Sequence, residues 1–184
     1  MKTVLSLALL ALACVACSSP RVITNYDEST DFATFETYGF PKRLGTDDAR
    51  YTSLLSQMLK TAVGRELEAR GYEPDEEPDL IVNFFVDIDE KIRTSTTPSV
   101  AYGYRSYGVY SGYDTTVTQY TEGTLRVDLV DRGRNQLVWE GVVIGRVTDD
   151  RRKELQETVD GAVAEVFSEY PFQAGSDVPA EPDS

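Results

Sequence analysis

Apolar and polar positions alternate with a period of two through residues 123–147. Leu125, Val127 and Leu129 are separated by Arg126 and Asp128, the mark of a strand with one buried face. Residues 131–136 contain no apolar side chain, and Gly133 among them can turn the chain without steric cost. Leu137, Trp139 and the run Val142, Val143, Ile144 then resume the strand signal. The pattern predicts an antiparallel hairpin, with the single Trp as a core anchor. Residues 80–88, the most apolar stretch beyond the amino-terminal segment, predict a central strand. Shorter strands are expected at 22–26 and 37–40, and Phe32, Phe35, Tyr38 and Phe40 supply aromatics to a core edge.

Two stretches carry a helical period instead. Tyr51, Leu54, Leu55, Met58, Leu59, Ala62, Val63 and Leu67 recur at steps of three and four, which places them on one helix face. Asp47 or Asp48 can cap this helix, and Gly71 suits its carboxy-terminal end. Met58 and Tyr51 at this spacing read as core packing. Gly64, inside the helix, allows a close approach to the sheet. A second helix is expected over 151–170, with Leu155, Val159, Ala162, Val163, Val166 and Phe167 buried, Asp149 or Asp150 as its cap and Pro171 as its stop. Strand, helix, strand, long hairpin, helix predicts an α+β fold: a two-layer sandwich with a largely antiparallel sheet and two helices packed on one face. One domain over 22–171 is expected, with 172–184 as a disordered tail.

Two polar segments interrupt this order. Residues 73–79 form an acidic loop. Asp75, Glu76, Glu77 and Asp79 are hard oxygen ligands, but the loop has no glycine at a calcium-loop turn, and it reads as a solvated charge run. Residues 94–118 are a Tyr/Gly/Ser-rich stretch with Tyr102, Tyr104, Tyr107, Tyr110 and Tyr113 at short intervals. It is expected as a mobile loop or as the frayed extension of a long hairpin. The five tyrosines are the candidate partner-binding residues, because a flat ring with a hydroxyl and few rotamers serves protein or glycan contacts.

The amino terminus is of another kind. Lys2 is followed by an apolar run to Ala16, too short for a spanning helix and suited to a signal h-region. Ala16, Cys17, Ser18, Ser19 and Pro20 then resemble a bacterial lipoprotein signal, with cleavage before Cys17 and a lipid on its thiol. Residues 1–16 are the expected signal peptide and 17–21 the lipidated tether. Cys14 is a competing acceptor, and it stands where Leu, Val or Ile is usual. A plain secretory signal is the alternative, though it leaves an unpaired thiol on an exported protein. Two or more acyl chains hold a protein to a bilayer durably, at about 0.8 kcal/mol per buried CH₂. Ser18 is not the Asp that retains many lipoproteins at the inner membrane, so the expected location is the periplasmic face of the outer membrane, anchored by lipid.

Charge and composition narrow the chemistry. The chain of 184 residues has a net charge of -13, which repels phosphate backbones and argues against nucleic-acid binding. It contains no His, and its two Cys are Cys14 and Cys17. The body therefore lacks the commonest general base, thiol chemistry and the usual transition-metal ligands. No cofactor or metal is implied. The expected role is a non-catalytic binding or scaffold domain facing the periplasm, with an envelope protein or glycan as possible partner. One alternative is a carboxylate-based envelope hydrolase using residues among Asp87, Asp89, Asp128 and Glu140. Another is a structural envelope protein that self-assembles through its sheet edge.

Several of these segments together resemble a family of bacterial lipoproteins known as domain of unknown function 4136. The resemblance rests on Tyr26 and Asp27, Asp31 and Phe32, Thr37 and Tyr38, Gly71 and Tyr72, and residues 78–82. It continues through Gly123, Thr124, Leu125, Val127, Asp128, Leu129 and Asp131 to residues 137–141, Tyr170 and Pro171. It implies an α+β envelope domain without an established activity, and no catalytic residues. Asp128 and Asp131 match its hairpin, where they can cap turns or pair with Arg126 or Arg132.

Overall fold

In the computed structural model, residues 20–47, 52–102 and 109–176 are described, with side chains for 20–47, 52–98 and 113–176. Six strands form one mixed sheet: β1 (Arg21–Tyr26), β2 (Thr37–Gly39), β3 (Glu73–Pro74), β4 (Leu80–Tyr102), β5 (Val109–Asp131) and β6 (Gln136–Arg146). Their order across the sheet is β1-β6-β5-β4-β2-β3. Pairing is antiparallel from β1 to β4, whereas β2 runs parallel to both β4 and β3. The helices are α1 (Leu54–Glu68), the short α2 (Asp149–Lys153) and α3 (Leu155–Ser168). The α+β fold and the predicted centre, 80–88 beside the hairpin of 123–147, are both present.

Register explains the core. Leu129, Val127 and Leu125 on β5 stand opposite Val82, Phe84 and Val86 on β4, and opposite Trp139, Gly141 and Val143 on β6. These residues share one face, and all except Val86 are buried with Leu59, Val63 and Leu67 of α1 and Val159, Val163, Val166 and Phe167 of α3. Trp139 meets Tyr170 edge-on at 5.0 Å and Phe167 at 5.7 Å. Gly141 makes this possible, because a Cβ there would run into the Trp139 ring and Val166. A bulge next to Trp139 sets Leu129 opposite Trp139 but Val130 opposite Leu137, so the extra residue Val138 is buried beside Trp139.

Several boundaries differ from the pattern. Helix α1 begins after Ser53, whose Oγ accepts from the Ser56 N–H at 3.0 Å. Asp47 instead accepts from the Ser53 N–H and the Ser56 hydroxyl, which steadies the cap; Asp48 and Tyr51 lie outside the described residues. Gly71 closes the turn after α1 with φ +88°. The second helix breaks at Glu154 into α2 and α3, and Thr148, not Asp149 or Asp150, accepts from the Arg151 N–H. Leu155 is exposed rather than buried.

The domain also runs past the expected end at 171. Phe172 stacks on Phe32 with centroids 3.7 Å apart. The Ala174 and Gly175 N–H groups donate to the carbonyls of Arg70 and Phe35. Residues 172–176 are therefore part of the fold, because one aromatic ring and two backbone bonds tie them down. Residues 177–184, the rest of the expected tail, lie outside the described residues.

Candidate functional site

Of the two expectations for 94–118, a mobile loop or the extension of a long hairpin, the structure shows the second, as strand over 94–102 and 109–118. Its Thr and Tyr residues suit an extended backbone. The β4–β5 pairing is unbroken from Leu80 opposite Asp131 to Tyr102 opposite Val109. Strand β6 accompanies β5 only to Glu122, and β2 accompanies β4 only to Ile81. Beyond Asp89 the two strands run on as a ribbon, about 45 Å long at about 3.3 Å per residue.

This ribbon is amphipathic. The face that buries Val82, Phe84 and Leu125 within the domain continues outward as Val86, Ile88, Ile92, Val117 and Tyr113, interrupted by the exposed Glu90. No helix covers that continuation among the described residues, and exposure rises from 37% at Val86 to 66% at Ile92 and 77% at Tyr113. The opposite face bears Asp87, Asp89, Lys91 and Arg93 on β4 and Asp114 and Glu122 on β5. Lys91 Nζ lies 3.0 Å from Asp89, and Arg146 sits 4.7 Å over the Tyr120 ring at the ribbon's base.

Of the five candidate tyrosines, Tyr113 is on the face of Ile92 and Val117 and exposed. Tyr102 and Tyr110 lie at the paired ends of β4 and β5, with side chains outside the described residues, as are Tyr104 and Tyr107 altogether. Cys17 and Cys14 also lie outside them. The sequence signal for this extension is the alternation of Ile92, Thr94, Thr96 and Pro98 with Lys91, Arg93, Ser95 and Thr97.

The candidate carboxylates separate. Asp128 and Glu140 are directly opposite on β5 and β6, on the sheet face away from the helices. Arg126 lies between them, its Nε 3.2 Å from Asp128 Oδ1 and 3.8 Å from Glu140 Oε2, and its guanidinium 4.2 Å over the Phe85 ring. Arg126 Nε and Asp128 Oδ1 are buried and make no aligned hydrogen bond. Burial pushes the Asp128 carboxyl above its usual range, against the pull of Arg126, and Glu140 adds to the rise. Asp87 and Asp89 are exposed on β4, paired across from Thr124 and Glu122, not with this cluster.

Two further carboxylates hold the fold. Asp79 Oδ2 accepts from the N–H groups of Glu36 and Thr37, each at 3.0 Å, and from the Thr37 hydroxyl at 2.8 Å. Burial raises its pKa, but these bonds outweigh that and leave it lowered. Asp79 is thus a clasp between β2 and β4 rather than a member of a solvated run. Asp131 pairs with Arg134, not Arg132, and accepts the Arg134 N–H at 2.9 Å. Burial opposes the shift, yet the Arg134 bonds leave its pKa lowered too. Arg132 reaches Glu77 at 3.7 Å. Among the described residues no group of three or more His, Cys, Asp or Glu is placed to hold a metal ion.

A groove of about 330 Å³ lies where the ribbon leaves the domain, lined by Pro20, Arg21, Tyr120, Glu122, Arg146 and Arg151 among others. No helix among the described residues is long and apolar enough to cross a membrane.

Residues 22–172 match the family described as Domain of unknown function (DUF4136). The chain belongs to the DUF4136 family. A DUF4136 protein from Bacteroides thetaiotaomicron has the same fold, with TM-score 0.54 and 16% identity, covering 85% of this chain and 98% of that one. A PDZ domain protein from Parabacteroides distasonis aligns with TM-score 0.57 and 18% identity over 83% of this chain; the chain spans only 35% of that protein. A PelC dodecamer from Paraburkholderia phytofirmans aligns with TM-score 0.50 and 12% identity, covering 86% of this chain and all 100% of that one. At these identities the likenesses describe the fold alone. No curated protein matches the chain.

Proposed function

We propose that this DUF4136 domain is a non-catalytic binding or scaffold module, held by a lipid on Cys17 at the periplasmic face of the outer membrane. The observation that carries the binding role is the ribbon. Its mainly apolar face, from Val86 through Ile88, Ile92 and Val117 to Tyr113 with Glu90 as its one charge, continues the core surface into solvent. Apolar surface in that arrangement marks a contact site. The lipid anchor is supported by the signal pattern ending in Ala16 and Cys17. The partner is an envelope protein or glycan.

Replacing residues 94–117 by Asn-Gly keeps Arg93 opposite Thr118 and supplies a tight turn. The shortened protein should keep its melting temperature and lose the partner recovered by in-cell crosslinking. Undiminished recovery would sink the role given to the ribbon. Metabolic labelling with a palmitate analogue tests the anchor separately: Cys17→Ser should abolish the label, and a labelled Cys17→Ser protein would refute it.

A further inference from the structure

We infer that the groove at the ribbon's base binds the phosphate of a phospholipid headgroup, in the bilayer that holds the lipid on Cys17. The source of the ligand rests on the proposed anchor; the site rests on its own residues.

Three arginines converge there from three elements. Arg21 opens β1, Arg146 closes β6 and Arg151 comes from α2. Arg21 stands opposite Ile144, one step along the same sheet face from Arg146. Arg146 is stacked 4.7 Å over the Tyr120 ring, and Arg151 Nη1 donates to the Arg146 carbonyl at 3.0 Å. Both guanidinium groups are thus held in place before a ligand arrives. None of the three arginines has an ion-pair partner among the described residues, whereas Arg65, Arg70, Arg126, Arg132 and Arg134 all do. Planar guanidinium groups match phosphate oxygens with paired N–H donors.

The local charge fits an anion. Glu122 is the one acid in the lining, which leaves two positive charges in excess there, in a chain whose net charge is -13. The surroundings do not cancel this excess. Asp89 and Lys91, opposite Glu122 and Tyr120, pair with each other, and Glu90 lies on the other face of the ribbon. Around Arg151 the acids Asp149, Asp150 and Glu154 exceed Arg152 and Lys153 by a single charge. Gly145 keeps the space open, since a carbon added there would lie 3.5 Å from Arg151 Nη1 and 3.6 Å from Pro20.

Position selects a lipid over a free anion. Pro20 is part of the groove wall, and the chain from Cys17 to Pro20 spans at most about 11 Å. A lipid on Cys17 therefore keeps the three arginines within reach of headgroups, where basic side chains are attracted to anionic lipid.

The test uses the full chain, as matured in the cell and purified in a neutral maltoside detergent. The probe is dihexanoyl phosphatidylglycerol below its micelle concentration, read by calorimetry. Saturable binding is expected. Arg146→Gln and Arg151→Gln should each weaken it about fivefold, and Gly145→Val should block it with no change of charge. Arg132→Gln removes the same charge at the far end of β5 and should leave binding as it was; unchanged melting temperatures verify the fold of each variant. The absence of saturable binding overturns the inference, as does an equal loss with Arg132→Gln. Inorganic phosphate binding as tightly at the same concentration also overturns it, because the ligand is then a free anion. Binding in detergent needs no acyl group on Cys17, so the two readings fail separately. A palmitate-labelled Cys17 with an empty groove removes this inference alone. A filled groove in a chain that takes no label removes the anchor and leaves the lipid site.

Discussion

The hydroxyls of Tyr72 and Tyr170 meet at 2.8 Å inside the protein. Tyr72 follows α1 and Tyr170 follows α3, so this one bond fastens the exits of both long helices. Either phenol, left alone by its partner, keeps a buried polar group without compensation. Tyr72→Phe or Tyr170→Phe should each cost about 1–2 kcal/mol in urea unfolding. The double variant should cost less than the two losses added, because neither hydroxyl is then stranded.

Alkaline pH should unfold the domain through these same rings. Burial raises the Tyr72 phenol and holds Tyr170 well above its ordinary value of 10.0. Burial also lifts Tyr38 to about 12, helped by its bond to Glu68. The folded form thus retains protons that the unfolded chain releases near pH 10. Stability is fully present below that point and falls as the pH rises toward 12. Melting temperature against pH should show the drop, and Tyr38→Phe should make it shallower.

The acid limb belongs to Asp79 and Asp131. Both carboxyls sit below their ordinary 3.8 despite burial, so the folded form favours the ionised state. Their contribution is present above about pH 4 and is lost as the pH falls through the lowered values. Asp79→Asn should lower the melting temperature at pH 7 and flatten the decline in acid, since an amide oxygen accepts less strongly from three donors. Asp128 acts in the other sense. Its raised pKa favours the protonated folded form, so its contribution diminishes as the pH rises.

Gly141→Ala tests the packing of the helix layer on the sheet. The added methyl would meet the Trp139 ring and Val166. Overpacking of this kind costs about 1–3 kcal/mol, which a melting curve should register as a loss of several degrees. Gly161→Ala is the matched control, since nothing lies within 4 Å of the added carbon there; in α3 it should be neutral or stabilising.

The pattern of side chains revealed the layers better than it revealed the joints. Leu125, Val127 and Leu129 announce their face because a strand's period is local and covalent. The cap of α1 was less legible: Asp47, Ser53 and Ser56 are all competent acceptors, and only the turn at 44–47 decides that Ser53 caps while Asp47 supports it. The inward turn of both Val138 and Trp139 depends on a bulge that no period announces. Phe172 looked like tail because its stacking partner Phe32 is 140 positions away. The ribbon was legible in composition but not in conformation, since Gly, Ser and Tyr suit a loop as well as a twisted strand.

The ribbon's length has a mechanical consequence. A contact made near Ile92 or Tyr113 acts on the domain through a lever, and the fulcrum is the place where β6 leaves the central pair, at Glu122 and Asp89. Pulling at the far end loads Gly123 and Ile88 first, the pair that faces across the sheet just inside that fulcrum. A tilt of about ten degrees there sweeps the outer end through about 8 Å, given a span of about 45 Å. Small rotations of the body are therefore amplified into large searches at the arm.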